Sequence, residues 1–346
     1  MTNASRRQFL RRLAALSGAT AGTWLLAACG ESSPPATQES MPTAAESATA
    51  AREPTTPASE SAPSAKPSDS SASVDKPYLV VARGGDQPEE LVRRSIAALG
   101  GMERFVKPGA NVIIKPNICV AYHTYEYAAT TNPWVVGALV KLCREASAGR
   151  VRVMDSPFGG TAEQAYARSG IQEQVLAAGG EMETMQRLKF VATDIPEGKD
   201  IKNWNIYDDI LQADVVIDVP VAKDHGLARL TLGMKNLLGV VEDRGSMHRN
   251  MGQRLADLTS RVRPALTVVD AVRMLMANGP TGGDLGDVKK MDTIVASADI
   301  VAADSYAATL FGLQPADLAY ITAGAAMGLG RSDLANLKIE EIAVGG

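Results

Sequence analysis

The stretch from Ala213 to Asn250 constrains this chain more than any other. It opens on an apolar run, Val215 to Val219, of the kind a strand carries when both of its faces are buried. Pro220 then predicts the end of the ladder, because proline has no N–H to donate. Soon after come Lys223, Asp224, His225, Lys235, Asn236 and His248, which include two of the 3 histidines in the sequence. Gly226, Gly233 and Gly239 separate them and let backbone approach a ligand closely. A buried strand that ends in cationic and titratable side chains is where α/β proteins place their chemistry. The plainer alternative is a solvated loop leading into a helix with a charged face.

The rest of the chain from Tyr78 onward alternates strands with helices. Strands are expected at Tyr78–Ala82, Asn111–Lys115, Val151–Met154, Leu188–Ala192, Leu266–Val269, Thr293–Ser297 and Ile339–Val344. Helices are expected at Pro88–Leu99, Pro133–Ala146, Ala162–Arg168, Ile171–Ala178, Met251–Val262, Ile300–Phe311 and Pro315–Met327. That alternation predicts an α/β fold: a mostly parallel, Rossmann-like sheet with helices on both faces.

Polar residues recur where these strands end. Lys115 and Asn117 follow the second strand and Asp155 the third; Lys223 and His225 follow Pro220, and Asp270 follows the Leu266 run. In an open parallel sheet these ends line one edge, where ligands bind. Two chemistries fit. In the first, Lys115, Asn117, Lys235 and Asn236 hold a small anionic molecule, with backbone donors from the Gly279–Gly283 loop, while Lys223 and His225 or His248 carry the catalysis. In the second, Asp155, Asp270 and Asp304 join the histidines around a divalent metal, although no fixed ligand spacing marks such a site. His123, among Tyr122, Tyr125 and Tyr127, is a candidate lid over the pocket or a plain surface histidine.

The N-terminus carries an address. Ser5-Arg6-Arg7-Gln8-Phe9-Leu10 matches a twin-arginine export motif, and Leu26-Ala27-Ala28-Cys29 reads as a lipobox with Cys29 as the lipidated residue. The expected organisation is a signal peptide over 1–28, a Ser/Pro/Ala/Thr-rich disordered tether over 29–77 and a single α/β domain over 78–346. The expected partners are then the twin-arginine translocase during export and a membrane through the lipid on Cys29. The location is the outer face of the cell membrane or the periplasm. Removing the signal takes away four arginines and no acids, which carries the formal charge from −4 to about −8. So acidic a chain, without a basic stripe, is not expected to bind nucleic acid. With 3 cysteines and no C-x-x-C pair, no iron–sulfur cluster is expected from this chain alone. Cys119 and Cys143 are expected as buried free thiols.

Several of these residues also carry a family resemblance. Lys115-Pro116-Asn117, Thr131 with Pro133, Asp155-Ser156-Pro157, Pro220-x-x-Lys223-x-His225, Lys235-Asn236-x-x-Gly239, His248, Asp270, Gly279-Pro280 and Asp299 to Asp304 stand in the order found in the domain-of-unknown-function family 362. The resemblance covers about Tyr78 to Leu313 and implies the fold and the site positions rather than a reaction. Asp224 stands where that family often has Thr. Some relatives carry a ferredoxin-like cluster domain, which the cysteines here do not provide. Two functional expectations follow: an extracytoplasmic enzyme on a small anion, or a non-catalytic solute-binding or accessory lipoprotein of a redox or envelope complex.

Overall fold

A computed structural model describes residues 78–345. The signal segment, Cys29 and the tether lie outside the described residues. In chain order the strands and helices are β1 (Leu79–Arg83), α1 (Pro88–Ala98), β2 (Asn111–Pro116), α2 (Pro133–Glu145), β3 (Arg150–Val153), α3 (Ala162–Arg168), α4 (Ile171–Ala177) and β4 (Glu181–Met182). A small hairpin, β5 (Phe190–Asp194) and β6 (Asn203–Tyr207), leads through α5 (Asp208–Gln212) to β7 (Val215–Val219), β8 (Val221–His225) and β9 (Arg229–Thr231). There follow α6 (Gly233–Asn236), α7 (Arg244–Met247), α8 (Met251–Val262), β10 (Leu266–Leu275), β11 (Val288–Ser297), α9 (Ile300–Thr309), α10 (Ala319–Ala326) and β12 (Ile339–Ala343).

The main sheet runs β12-β1-β11-β10-β7-β2-β3-β4. Its pairings are parallel except where β11 meets β1 and β10 and where β8 meets β9. Both faces are covered, and side chains alternate between two cores, as strand geometry requires. Leu79, Val81, Ile113 and Val269 face α8, α9 and α10. Val80, Ala82, Val112, Ile114 and Val268 face α1, α2 and α4. Two-sided burial is why these strands are continuous apolar runs in the sequence.

β7 ends at Val219, as Pro220 leads one to expect, and a new strand, β8, begins directly beyond it at Val221. β7 pairs with β10 through Ile217 and Thr267's partner Asp218, and β8 resumes beside β10 at Val221. Pro220 lacks an N–H, but its carbonyl accepts from Asp270 N at 2.8 Å, so the line continues across it. β2 ends at the same level, its last pairing being Pro116 with Val219. The edge so freed pairs with β9 instead, setting Lys223 opposite Thr231 and His225 opposite Arg229. Lys223 and His225 therefore sit on a strand, not on a loop beyond one.

Asp270 is also displaced from its expected place. It lies in the middle of ten-residue β10 rather than at the end of a short strand. Its carboxylate accepts from Asn132 N at 2.7 Å and Val272 N at 3.0 Å, which offsets the cost of burying it. Between Pro315 and Ala326 a short turn at Pro315–Asp317 precedes α10, where one continuous helix was expected.

Candidate functional site

One cleft of about 500 Å³ opens at the edge where β2, β3 and β8 end. Its lining brings together Lys115, Asn117, Asp155, Lys223, His225, Lys235, Asn236, His248 and Gly279. The far wall comes from α6, α7 and the Gly279–Thr281 loop between β10 and β11. Gly283, Asp270 and Asp304 were expected at the same site and do not line it.

The floor is a closed polar network. Lys115 pairs with Asp155 at 2.8 Å, and both are buried. Its ammonium also donates to Asn236 Oδ1 at 2.8 Å and to the Pro116 carbonyl. Asp155 accepts from Ile118 N and Ser156 N. Asn117 donates to Asn236 Oδ1, and Asn236 in turn donates to the Lys115 carbonyl and to Asp218 Oδ1. Gly239 closes the network from above. A Cβ there would lie 2.1 Å from Asp155 Oδ1 and 2.6 Å from Lys115 Nζ, so only glycine fits. This is the physical content of the Lys235-Asn236-x-x-Gly239 spacing.

Lys223 is saturated. Its Nζ donates to Asn117 Oδ1 at 3.0 Å, the Ala129 carbonyl at 2.6 Å and the Pro280 carbonyl at 2.9 Å. Three acceptors around one nitrogen occupy all of its N–H donors. Lys223 thereby clamps the Pro280 loop to Asn117. Asp224, beside it, fixes the same loop by accepting from Gly279 N at 2.9 Å. A Cβ at Gly279 would lie 1.8 Å from the Asp224 carbonyl, so this close approach also requires glycine.

Lys235 differs from both. It is 8 % exposed, lines the cleft, and has no hydrogen-bond or ion-pair partner among the described residues. Burial, with Lys223 next in weight, pulls its pKa down to about 8. α6 holds it in place: Asp304 caps that short helix, accepting from Gly233 N at 2.6 Å and Met234 N at 2.9 Å. Asp304 is thus committed to backbone, and burial raises its pKa to about 7.

The two histidines face one another with ring centroids 6.4 Å apart. Nδ1 of His225 accepts from Leu227 N at 3.1 Å and Ala228 N at 3.3 Å. That assignment leaves Nε2–H as the ring's free donor. Burial, then the charges of Lys235 and Lys223, pull its pKa down to about 3, which favours the neutral ring. Burial also lowers the pKa of His248, which keeps that ring neutral at pH 7.

The metal set expected from Asp155, Asp270 and Asp304 does not converge. Each carboxylate is consumed by backbone N–H groups or by Lys115. Among the described residues, no group of three or more His, Cys, Asp or Glu side chains is placed to hold a metal ion. His123 stacks on Tyr127 at 4.0 Å and is not part of the cleft lining. Cys119 and Cys143 are free and buried, and Cys119 lines the cleft.

Two further groups escaped sequence reasoning. Arg244, at the start of α7, donates to Ser156 Oγ across the cleft mouth. Asp218 lies wholly buried beneath Asn236, with Oδ2 unpaired, and burial raises its pKa well above the carboxylate range. Its signal was present: an acid inside the otherwise apolar run Val215–Val219.

Comparison with known proteins bears on the same segment. The cyanobacterial Thylakoid-associated protein sll1697 from Synechocystis is 29% identical over 253 residues, which span 69% of this chain and 74% of that protein. Two solved structures align with this chain at a TM-score of 0.42: a lactate racemase apoprotein from Thermoanaerobacterium thermosaccharolyticum, 11% identical, and a protein from Thermotoga maritima, 10% identical. Matched over 67% and 66% of this chain, the alignments span only 56% and 60% of those two chains. A family model, described as Domain of unknown function (DUF362), matches residues 112–309. That match runs from β2 to the end of α9 and takes in every residue of the cleft, and on it the chain belongs to the DUF362 family.

Proposed function

We propose that the cleft binds a small organic anion and moves a proton on it. One observation carries this reading: among the described residues the Lys235 ammonium is buried at the cleft wall with no partner, in a lining whose single acid, Asp155, is already matched by Lys115. Burying an unmatched cation is costly, and an anion would complete the site. Arg244 adds a second positive group at the mouth, and the Nε2–H of His225 adds a neutral donor. His248 is the neutral ring left to accept a proton from the bound molecule.

Calorimetric titration with inorganic phosphate, acetate and pyruvate tests the binding. The wild type is expected to bind at least one of them, and Lys235→Met to weaken that binding by about 2–3 kcal/mol, as for loss of one partner of a buried charge pair. Binding should also fall as pH rises through about 8, where Lys235 loses its proton. Well above that pH the loss approaches about tenfold per pH unit for one linked proton. The unliganded protein should respond in the opposite sense. Its Lys235 pKa lies below the unfolded value of about 10.4, so the unfolded chain holds more protons across that window and this group's contribution to stability rises with pH. Binding indifferent to both pH and Lys235→Met would sink the reading.

The proposal places this domain outside the cytoplasm, supported by the Arg6-Arg7 motif and the lipobox ahead of Cys29. Cys29→Ser is expected to move the protein from the membrane fraction to the soluble one. Retention in the membrane fraction would count against the anchor.

A further inference from the structure

We infer that Lys235 forms a covalent imine with the carbonyl of a 2-oxo acid held in the cleft, a step that rests on the anion-binding reading above. The three lysines of the site divide by what their ammonium groups touch. Lys115 has a carboxylate and two carbonyl-type acceptors, and Lys223 has three acceptors. Lys235 has none among the described residues, so of the three its nitrogen is the one that can expose a lone pair without breaking an existing contact. The pKa of Lys235, lowered to about 8, supports this by keeping an appreciable neutral fraction close to physiological pH.

The surroundings favour a carbonyl compound over a polyhydroxylated one. Ile118, Leu238, Phe158 and Leu227 supply apolar wall, and the amides of Asn117 and Asn236 are already engaged with each other and with Lys223, Lys115 and Asp218. Few acceptors remain for sugar hydroxyls. A 2-oxo acid instead presents one carboxylate, for Arg244 and the Nε2–H of His225, and one adjacent electrophilic carbon for Lys235. In the step itself the neutral amine attacks that carbon and a C–N bond forms. The proton released from nitrogen passes to the former carbonyl oxygen through His248. A second proton, taken up from solvent through the same ring, goes to that oxygen; the C–O bond breaks, oxygen leaves as water, and a protonated imine remains. No oxidant or metal is required. The imine draws electrons from the neighbouring carbon on the side away from the carboxylate, which makes loss of a proton there the accessible next reaction.

The test is reductive trapping on the full chain. Protein is incubated at pH 8 with pyruvate, or with phenylpyruvate to use the apolar wall, together with sodium cyanoborohydride, then weighed intact and mapped by peptide. The expected product is one adduct per chain at Lys235, heavier by the mass of the oxo acid less one oxygen atom. It should form roughly a hundredfold faster than at an exposed lysine, the ratio of neutral amine at that pH. Inorganic phosphate should suppress it, and neither Lys235→Met nor Lys235→Arg should give it while melting as the wild type does. Mapping on the wild type settles the position even if a variant folds poorly. Pyruvate or phenylpyruvate that binds by calorimetry without an adduct at Lys235 would overturn the imine and leave the anion reading standing. Adducts spread evenly over surface lysines would do the same, and no binding of any of these anions would overturn both.

Discussion

Gly239→Ala is expected to unfold the site before it touches any ligand. The added methyl would sit 2.1 Å from Asp155 Oδ1, 2.6 Å from Lys115 Nζ and 2.7 Å from Lys115 Cε. Neither partner can retreat cheaply. Asp155 is tied to Ile118 N and Ser156 N, and Lys115 to Asn236 and the Pro116 carbonyl. The contact yields by separating a buried ion pair, at a cost of about 3–5 kcal/mol. For a domain of this size that is a fall in melting temperature of roughly 10 °C. Anion binding should be lost with it, because Lys235 and Asn236 sit on the turn just before Gly239. Gly226→Ala is the control: it lines the same cleft, nothing lies within 4 Å of its added Cβ, and its melt should change by no more than about 0.5 kcal/mol. Equal melts for the two variants would remove the steric account of Gly239.

How far the site was legible follows from which contacts are local. The apolar runs of β1, β2, β7 and β10 announce strands because helices cover both sheet faces, and the polar residues at the ends of β2 and β3 then had to share an edge. Pro220 marks the end of β7 because its missing donor is local, whereas the acceptor role that lets β8 follow at once depends on Asp270, fifty residues on. The same distance effect reassigns the carboxylates. Nothing near Asp304 in sequence says that it caps α6, and nothing near Asp270 says that Asn132 donates to it. An aspartate read as a free ligand is, in the folded chain, a satisfied acceptor. Lys223 and Lys235 look alike in sequence and differ only in whether Asn117, Ala129 and Pro280 arrive at the nitrogen. Arg244 was invisible because α7 reaches the cleft only through the fold of the segment after Gly239.

Lys115→Met should be among the most destabilising single changes in the protein, and its partner substitution should partly repair it. Removing the ammonium leaves Asp155 buried with no counter-charge, and such a break costs about 3–5 kcal/mol. The deficit should narrow as pH falls. An uncompensated buried carboxylate has a folded pKa above its unfolded value, so the folded variant takes up a proton first and recovers stability relative to the wild type on acidification. Lys115→Met/Asp155→Asn removes the stranded charge while keeping an acceptor for Ile118 N, and should recover about 2 kcal/mol of the single-variant loss. The recovery is incomplete for a stated reason. Asp155 accepts from two backbone donors through two oxygens, and the amide has only one oxygen to share between them. Urea melts of the two single variants and the double variant at neutral and mildly acidic pH give the coupling directly. A double variant no more stable than Lys115→Met would mean that the hydrogen bonds of Lys115 to Asn236 and Pro116, rather than its charge, hold the floor of the cleft together.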